Sequence, residues 1–230
     1  MLNLQKIKTD YCKSRIQEAY RRTYSDMKKG LGNIIVWTVH LALENIANSD
    51  ALYHDMEHTI MATLAGQSIL EGKHLAEGGV RPKDWAHFMI ALLCHDIGYV
   101  KGICADDDGY QLATGNGRET IRLPEGSTDA ILAPYHIDRS KQFVRERFGK
   151  KILMESGDLL DADQIADYIE MTRFPVPDDD FHRDTSGLPG LVRAADFIGQ
   201  LADPNRMQKC TALFYEFEEV GLNEKLGYKR

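Results

Sequence analysis

Residues 83–98 read KDWAHFMIALLCHDIG. From Trp85 to Leu93 nearly every side chain is apolar, which predicts a helix over 83–95 apolar on all sides. His95 and Asp96 end it side by side. A histidine and an aspartate at that position are costly to bury unless they are paired or bound to a metal. Gly98, just beyond, lets the chain turn away and leave both groups at a cavity.

Outward from this stretch most of the chain also reads as helix. Residues 4–29 carry Ile7, Tyr11, Ile16, Tyr20 and Tyr24 at roughly helical spacing among many charges. Residues 34–47, IIVWTVHLALENIA, suggest a buried helix. Further helices are expected at 55–73, 83–95, 127–134, 138–149, 161–173, 188–202 and 205–220. Asp161 and Asp163 open the one at 161–173, where acidic groups suit the helix dipole, and Pro175 and Pro177 follow its end. Strand signals are confined to a possible hairpin in 109–123, where GNG separates two short, partly alternating runs. It lies in a long stretch, 101–126, of the kind that is either a lid or mobile. Residues 174–187 form a second long loop rich in turn formers. The expected fold is therefore all-α: a single multi-helix domain over 1–230 with long loops.

Composition narrows the function. With 230 residues, 43% hydrophobic and 27% charged, the chain has the make-up of a globular protein able to bury a sizeable core. A net charge of −7 argues against duplex nucleic acid as a partner, but not against a small anion held by local cations and metal. The four cysteines, Cys12, Cys94, Cys104 and Cys210, are widely spaced, which predicts reduced thiols in a cytoplasmic protein. No apolar run at the start resembles a signal peptide, and none elsewhere is long enough to span a bilayer. A homo-oligomer is left open.

The chemistry sits in scattered histidines and aspartates. His54 and His58, in YHDMEHT, are four residues apart and share a face if both lie on a helix. His54 can instead sit at the helix mouth, after the turn-prone NSD, which permits different roles for the two imidazoles. Asp196 lies in an otherwise apolar segment and needs a partner: a metal, or a salt bridge with Arg193. Two imidazoles and two carboxylates suit zinc, manganese, iron or magnesium, and Asp96 can bridge two ions. Other features carry less. The acidic runs 106–108 and 178–180 do not continue as EF-hand loops and read as solvated loop acids. GNG at 115–117 is too short for a phosphate-binding fingerprint. His40, His74, His87 and His182 show no partner pattern, though His87 shares a helix face with His95.

The ordered set His58, His95-Asp96 and Asp196 resembles the HD-domain superfamily of metal-dependent phosphohydrolases. YHDMEHT resembles the YHNxxH segment of its cyclic-nucleotide phosphodiesterase branch, and the likeness spans residues 53–204. The resemblance implies that His58, His95, Asp96 and Asp196 hold a first metal ion. It implies that Asp96 bridges to a second, that His54 protonates the leaving oxygen, and that His136 stands near the activated water or binds the second ion. Asp55 replaces the asparagine of that motif, and the purine-gripping glutamine of those enzymes has no place this early in the chain. A cyclic nucleotide is therefore not the implied substrate. The expectation is a phosphohydrolase of a small phosphorylated metabolite or nucleotide, using one or two divalent ions and metal-activated water. Lys101, Arg139 and Arg173, which adjoin the site segments, are candidates to hold phosphate or else solvated surface charges. Two other readings stand beside it: a di-iron oxygenase with His136 on the second metal, and a non-catalytic metal- or ligand-binding module.

Overall fold

The computed structural model describes residues 2–149 and 160–228. Among these residues ten α-helices account for most of the chain: α1 (Leu4–Tyr24), α2 (Lys29–Ile46), α3 (Met56–Ala76), α4 (Pro82–Cys94), α5 (His136–Phe148), α6 (Ala162–Glu170), α7 (Asp180–Arg183), α8 (Leu188–Leu201), α9 (Arg206–Glu219) and α10 (Leu222–Leu226). The fold is all-α. Its only sheet among the described residues is the expected hairpin, β1 (Gln111–Ala113) against β2 (Thr120–Arg122), antiparallel with Leu112 opposite Ile121.

The apolar run decides the architecture as expected. Every residue of α4 from Trp85 to Cys94 is buried, so α2, α3, α6 and α8 can pack around it. One continuous apolar core runs from Cys12 on α1 to Ala195 on α8.

Three local differences have clear causes. The first helix ends at Tyr24, and Ser25 and Lys28 then take left-handed backbone to start α2. The segment 127–134 forms a tight 3-10 turn, Asp129–Leu132, capped by the Thr128 hydroxyl. The loop after Pro177 contains a single helical turn, α7, which Asp179 caps with its side chain.

Two close approaches place the later chemistry. On α8, a Cβ at Gly199 would lie 2.5 Å from the Ala62 backbone nitrogen, so α3 and α8 cross nearly in backbone contact. That crossing sets the first turn of α3 beside Asp196. Gly98 acts by proximity rather than by turning the chain: a Cβ there would stand 2.0 Å from the His136 carbonyl oxygen. Ser140 fastens the same junction, donating to the His95 carbonyl (2.7 Å) and accepting from the Gly98 N–H (2.9 Å).

Candidate metal centre

His58 lies in the first turn of α3, where Asp55 is the N-cap and accepts from the His58 N–H at 2.9 Å. The aspartate that stands where the resembled motif has asparagine thus fixes the backbone of a candidate ligand. His95 is the C-cap of α4 and Asp96 follows it; Asp196 projects from the middle of α8. Their side chains converge. His58 Nε2 stands 3.3 Å from His95 Nε2, 3.2 Å from Asp96 Oδ2 and 3.2 Å from Asp196 Oδ1. His95 Nε2 is 3.0 Å from Asp96 Oδ2 and 3.6 Å from Asp196 Oδ1. Ligand atoms ~2.0–2.2 Å from a shared ion lie about 3.0–3.6 Å from one another.

The donor chemistry fits a cation. His95 Nδ1 faces the Leu92 carbonyl at 2.7 Å, which assigns the ring proton to Nδ1 and leaves the Nε2 lone pair toward the cluster. Asp96 Oδ2 is buried and faces only the two imidazole nitrogens, with no other donor to it among the described residues. Burial alone would drive the two imidazoles neutral. The facing carboxylates outweigh it, holding His58 up to about 9 and His95 well above its ordinary value. Burial would likewise raise Asp96 and Asp196, but the imidazoles hold both carboxyls below the usual range. The cluster therefore demands positive charge, as protons or as a metal ion. Arg193 does not supply it: its guanidinium donates to the Met171 and His182 carbonyls.

His54 is separate from this cluster. It sits in the bend before α3, not on the helix, so the shared-face reading of the pair fails while the helix-mouth reading holds. Its Nδ1 lies 2.5 Å from Glu216 Oε2, and Glu216 Oε1 accepts from the backbone N–H groups of Tyr53 (2.6 Å) and His54 (3.2 Å). Glu216 is the buried residue of α9, and though burial opposes ionisation, the charge on His54 keeps its carboxyl below the ordinary glutamate value. Sequence reasoning missed it. The one available signal was an acid embedded in the aromatic run LFYEF. Tyr99, also missed, lies between His54 and His136 with ring centroids 4.4 Å from each. His136 opens α5; its Nδ1 meets the Ala133 carbonyl at 2.6 Å and its Nε2 is 3.8 Å from Asp96 Oδ1. Burial lowers His136 to about 4, so it is neutral near pH 7.

These groups form one end of a cavity of about 680 Å³, lined by His54, His58, Asp96, Tyr99, His136 and Asp196 and continued by apolar side chains. The three proposed phosphate cations fare differently. Arg139 is fully buried and committed, donating to the carbonyls of Gly98, Val100 and Ala113 and to both oxygens of Asp107. It pins the 101–126 stretch to α5 and cannot reach a ligand, and Asp107 is its buried counterion rather than a solvated loop acid. Lys101 pairs with Asp129 at 2.9 Å and does not line the cavity. Arg173 does line it, but is held by Glu170 and Asp138. No residue of 101–126 lines the cavity, apart from which the loop is anchored rather than poised as a lid. His87 accepts from the Asp161 N–H and serves the start of α6, not the cluster.

A protein-family model described as Npun_R2479-like matches residues 2–230, nearly the whole chain, so the protein belongs to that family. No curated protein and no solved structure matches it.

Proposed function

We propose that this Npun_R2479-like protein is a cytoplasmic, metal-dependent phosphohydrolase of a small phosphorylated substrate, built on an HD-type helical scaffold. The observation that carries the reading is the convergence of His58, His95 and Asp196, with Asp96 against both imidazoles, beside an imidazole–carboxylate pair at the end of one cavity. His58, His95, Asp96 and Asp196 would hold the ion. A divalent cation there supplies Lewis acidity and the means to ionise water near neutral pH.

The remaining work falls to the chain. A phosphoryl group entering from the cavity meets His54, whose Nδ1 proton is held by Glu216 and whose other nitrogen is free to give a proton to the leaving oxygen. Glu216 holds the imidazole in one orientation through its contact with Nδ1. Tyr99 stacks on both His54 and His136 and keeps the two rings in place. The apolar cavity walls limit bulk water around the reacting group.

The test is elemental analysis of the purified protein with a phosphoester panel, run on the wild type and two variants. Asp96→Ala loses metal and turnover together. His54→Ala keeps the metal and loses turnover by ~10²–10⁴-fold. Turnover retained in both variants would sink the assignment.

One observation keeps the di-iron oxygenase in view. His136 Nε2 and Asp96 Oδ1 face each other at 3.8 Å, two acceptors with room for a cation between them. Full hydrolysis with redox-inert magnesium would exclude that reading.

A further inference from the structure

The cavity is far larger than a phosphoryl group needs and its two ends differ in kind. The polar end holds the histidines and aspartates. Beyond it the wall comes from Phe174, Pro175, Leu213, Phe217, Val220 and Leu222. Phe174 and Phe217 lie nearly parallel, 9° apart, with centroids separated by 6.0 Å. Much of this wall belongs to α9 and α10, beyond the 53–204 stretch that carries the HD resemblance. Two anchors seat those helices: Glu219 accepts from the Thr128 N–H (2.8 Å) and hydroxyl (2.6 Å), and Asn223 donates to the Phe214 carbonyl (2.9 Å).

Two of the polar groups within this wall, Thr172 and Arg173, are already committed. Thr172 donates to the Ile169 carbonyl. Arg173 is balanced by Glu170 and Asp138, and Lys225 stands exposed on α10. The cavity thus offers one end that demands a cation and, through it, an anion, but no array of free cations for a polyphosphate. Its body offers apolar area and few directional partners, the arrangement that selects an apolar ligand.

We propose that the substrate is an amphiphile: a single phosphoryl head at the His–Asp end and an apolar alcohol body against the α9–α10 wall, of up to about twenty carbons in a cavity equal to about twenty water volumes, a methylene taking about the room of one water. This rests on the phosphohydrolase reading. The reaction is hydrolysis: water forms the new phosphorus–oxygen bond and the ester phosphorus–oxygen bond breaks. The alcohol leaves with a proton, and inorganic phosphate is the other product. A soluble ester and a membrane lipid share this chemistry, but the body of a two-chain lipid exceeds the cavity volume.

The experiment uses the metal-loaded, full-length protein with butyl, hexyl, octyl and hexadecyl phosphate, a nucleoside triphosphate, and the inert butyl- and octylphosphonates. Each methylene buried raises kcat/KM about fourfold, so octyl exceeds butyl phosphate about 200-fold, and the gain levels off by hexadecyl phosphate as the cavity fills. Octylphosphonate binds more tightly than butylphosphonate by a similar factor in calorimetry. Phe217→Ala, or Leu213→Ala if that variant does not fold, shrinks the octyl-to-butyl ratio. Turnover that is flat along the series, or that favours the triphosphate, overturns the proposal and leaves the hydrolase standing. If no ester is hydrolysed yet the phosphonates keep their chain-length slope, the hydrolase reading fails and the amphiphile site stands. Phosphonates that bind without such a slope, or not at all, overturn the site itself.

Discussion

Glu216 offers the most searching test, because nothing but the tertiary structure connects it to His54. Its carboxylate satisfies three donors: the Tyr53 N–H, the His54 N–H and the His54 Nδ1 proton. Glu216→Ala strands all three. A buried donor without a partner costs about 1–3 kcal/mol. Tyr53 is buried and carries the full cost, whereas the His54 side chain is 15% exposed and water can satisfy part of its loss. The sum is about 2–4 kcal/mol, which lowers the melting temperature by roughly 5–15 °C for a chain of this size. Glu216→Gln separates stability from chemistry. Its amide oxygen can keep the two backbone N–H groups, but its NH₂ then meets His54 Nδ1 as a second donor. The ring must switch tautomer to accept from it. Stability should fall less than in the alanine variant, while kcat falls at least about 10-fold and at most to the level of His54→Ala, ~10²–10⁴. Metal content should be unchanged in both variants. Calorimetric melting, elemental analysis and turnover read the three quantities. A glutamine variant with wild-type kcat would refute the claim that this carboxylate positions the histidine.

Three further outcomes are expected. Arg139→Ala leaves the Asp107 carboxylate buried and unpaired and should cost about 3–5 kcal/mol in urea unfolding; the Arg139→Ala/Asp107→Ala double variant should lose clearly less than the sum of the singles, and simple additivity would speak against the pin. Asp55→Ala removes the cap of α3 and should cost about 1 kcal/mol; because the freed N–H is that of His58, metal affinity should drop in a titration, and unchanged affinity would disconnect the cap from the site. Stability should decline in acid: burial opposes ionisation of Asp138 and Glu170, but Lys141 and Arg173 hold both carboxyls below their ordinary values, as His54 does for Glu216. Depressed carboxyls contribute stability above their unfolded values of about 4, and it is lost as pH falls through the lower folded values. Melting temperatures that stay level from pH 6 to well below 4 would contradict this.

By itself the sequence determined what depends on local order. The period of apolar residues placed the helices, because a helix buries whichever face its own spacing supplies. It singled out His58, His95, Asp96 and Asp196 because charged and imidazole groups on apolar helices must find partners. It also set His54 apart from His58, through a turn-prone approach and the family resemblance. Partnership between distant segments was beyond its reach. Arg139 adjoins the site in sequence and looked available to phosphate, yet its five donors are used up on a loop whose path no local pattern revealed. Asp107 in the same way looked like one of three solvated acids and is a buried counterion. Glu216 lies 162 residues from His54, and the apolar wall beside it is built from α9 and α10. Helix positions follow from short-range periodicity, but which faces meet follows from close packing of the whole core, and that packing decides where a buried charge finds its partner.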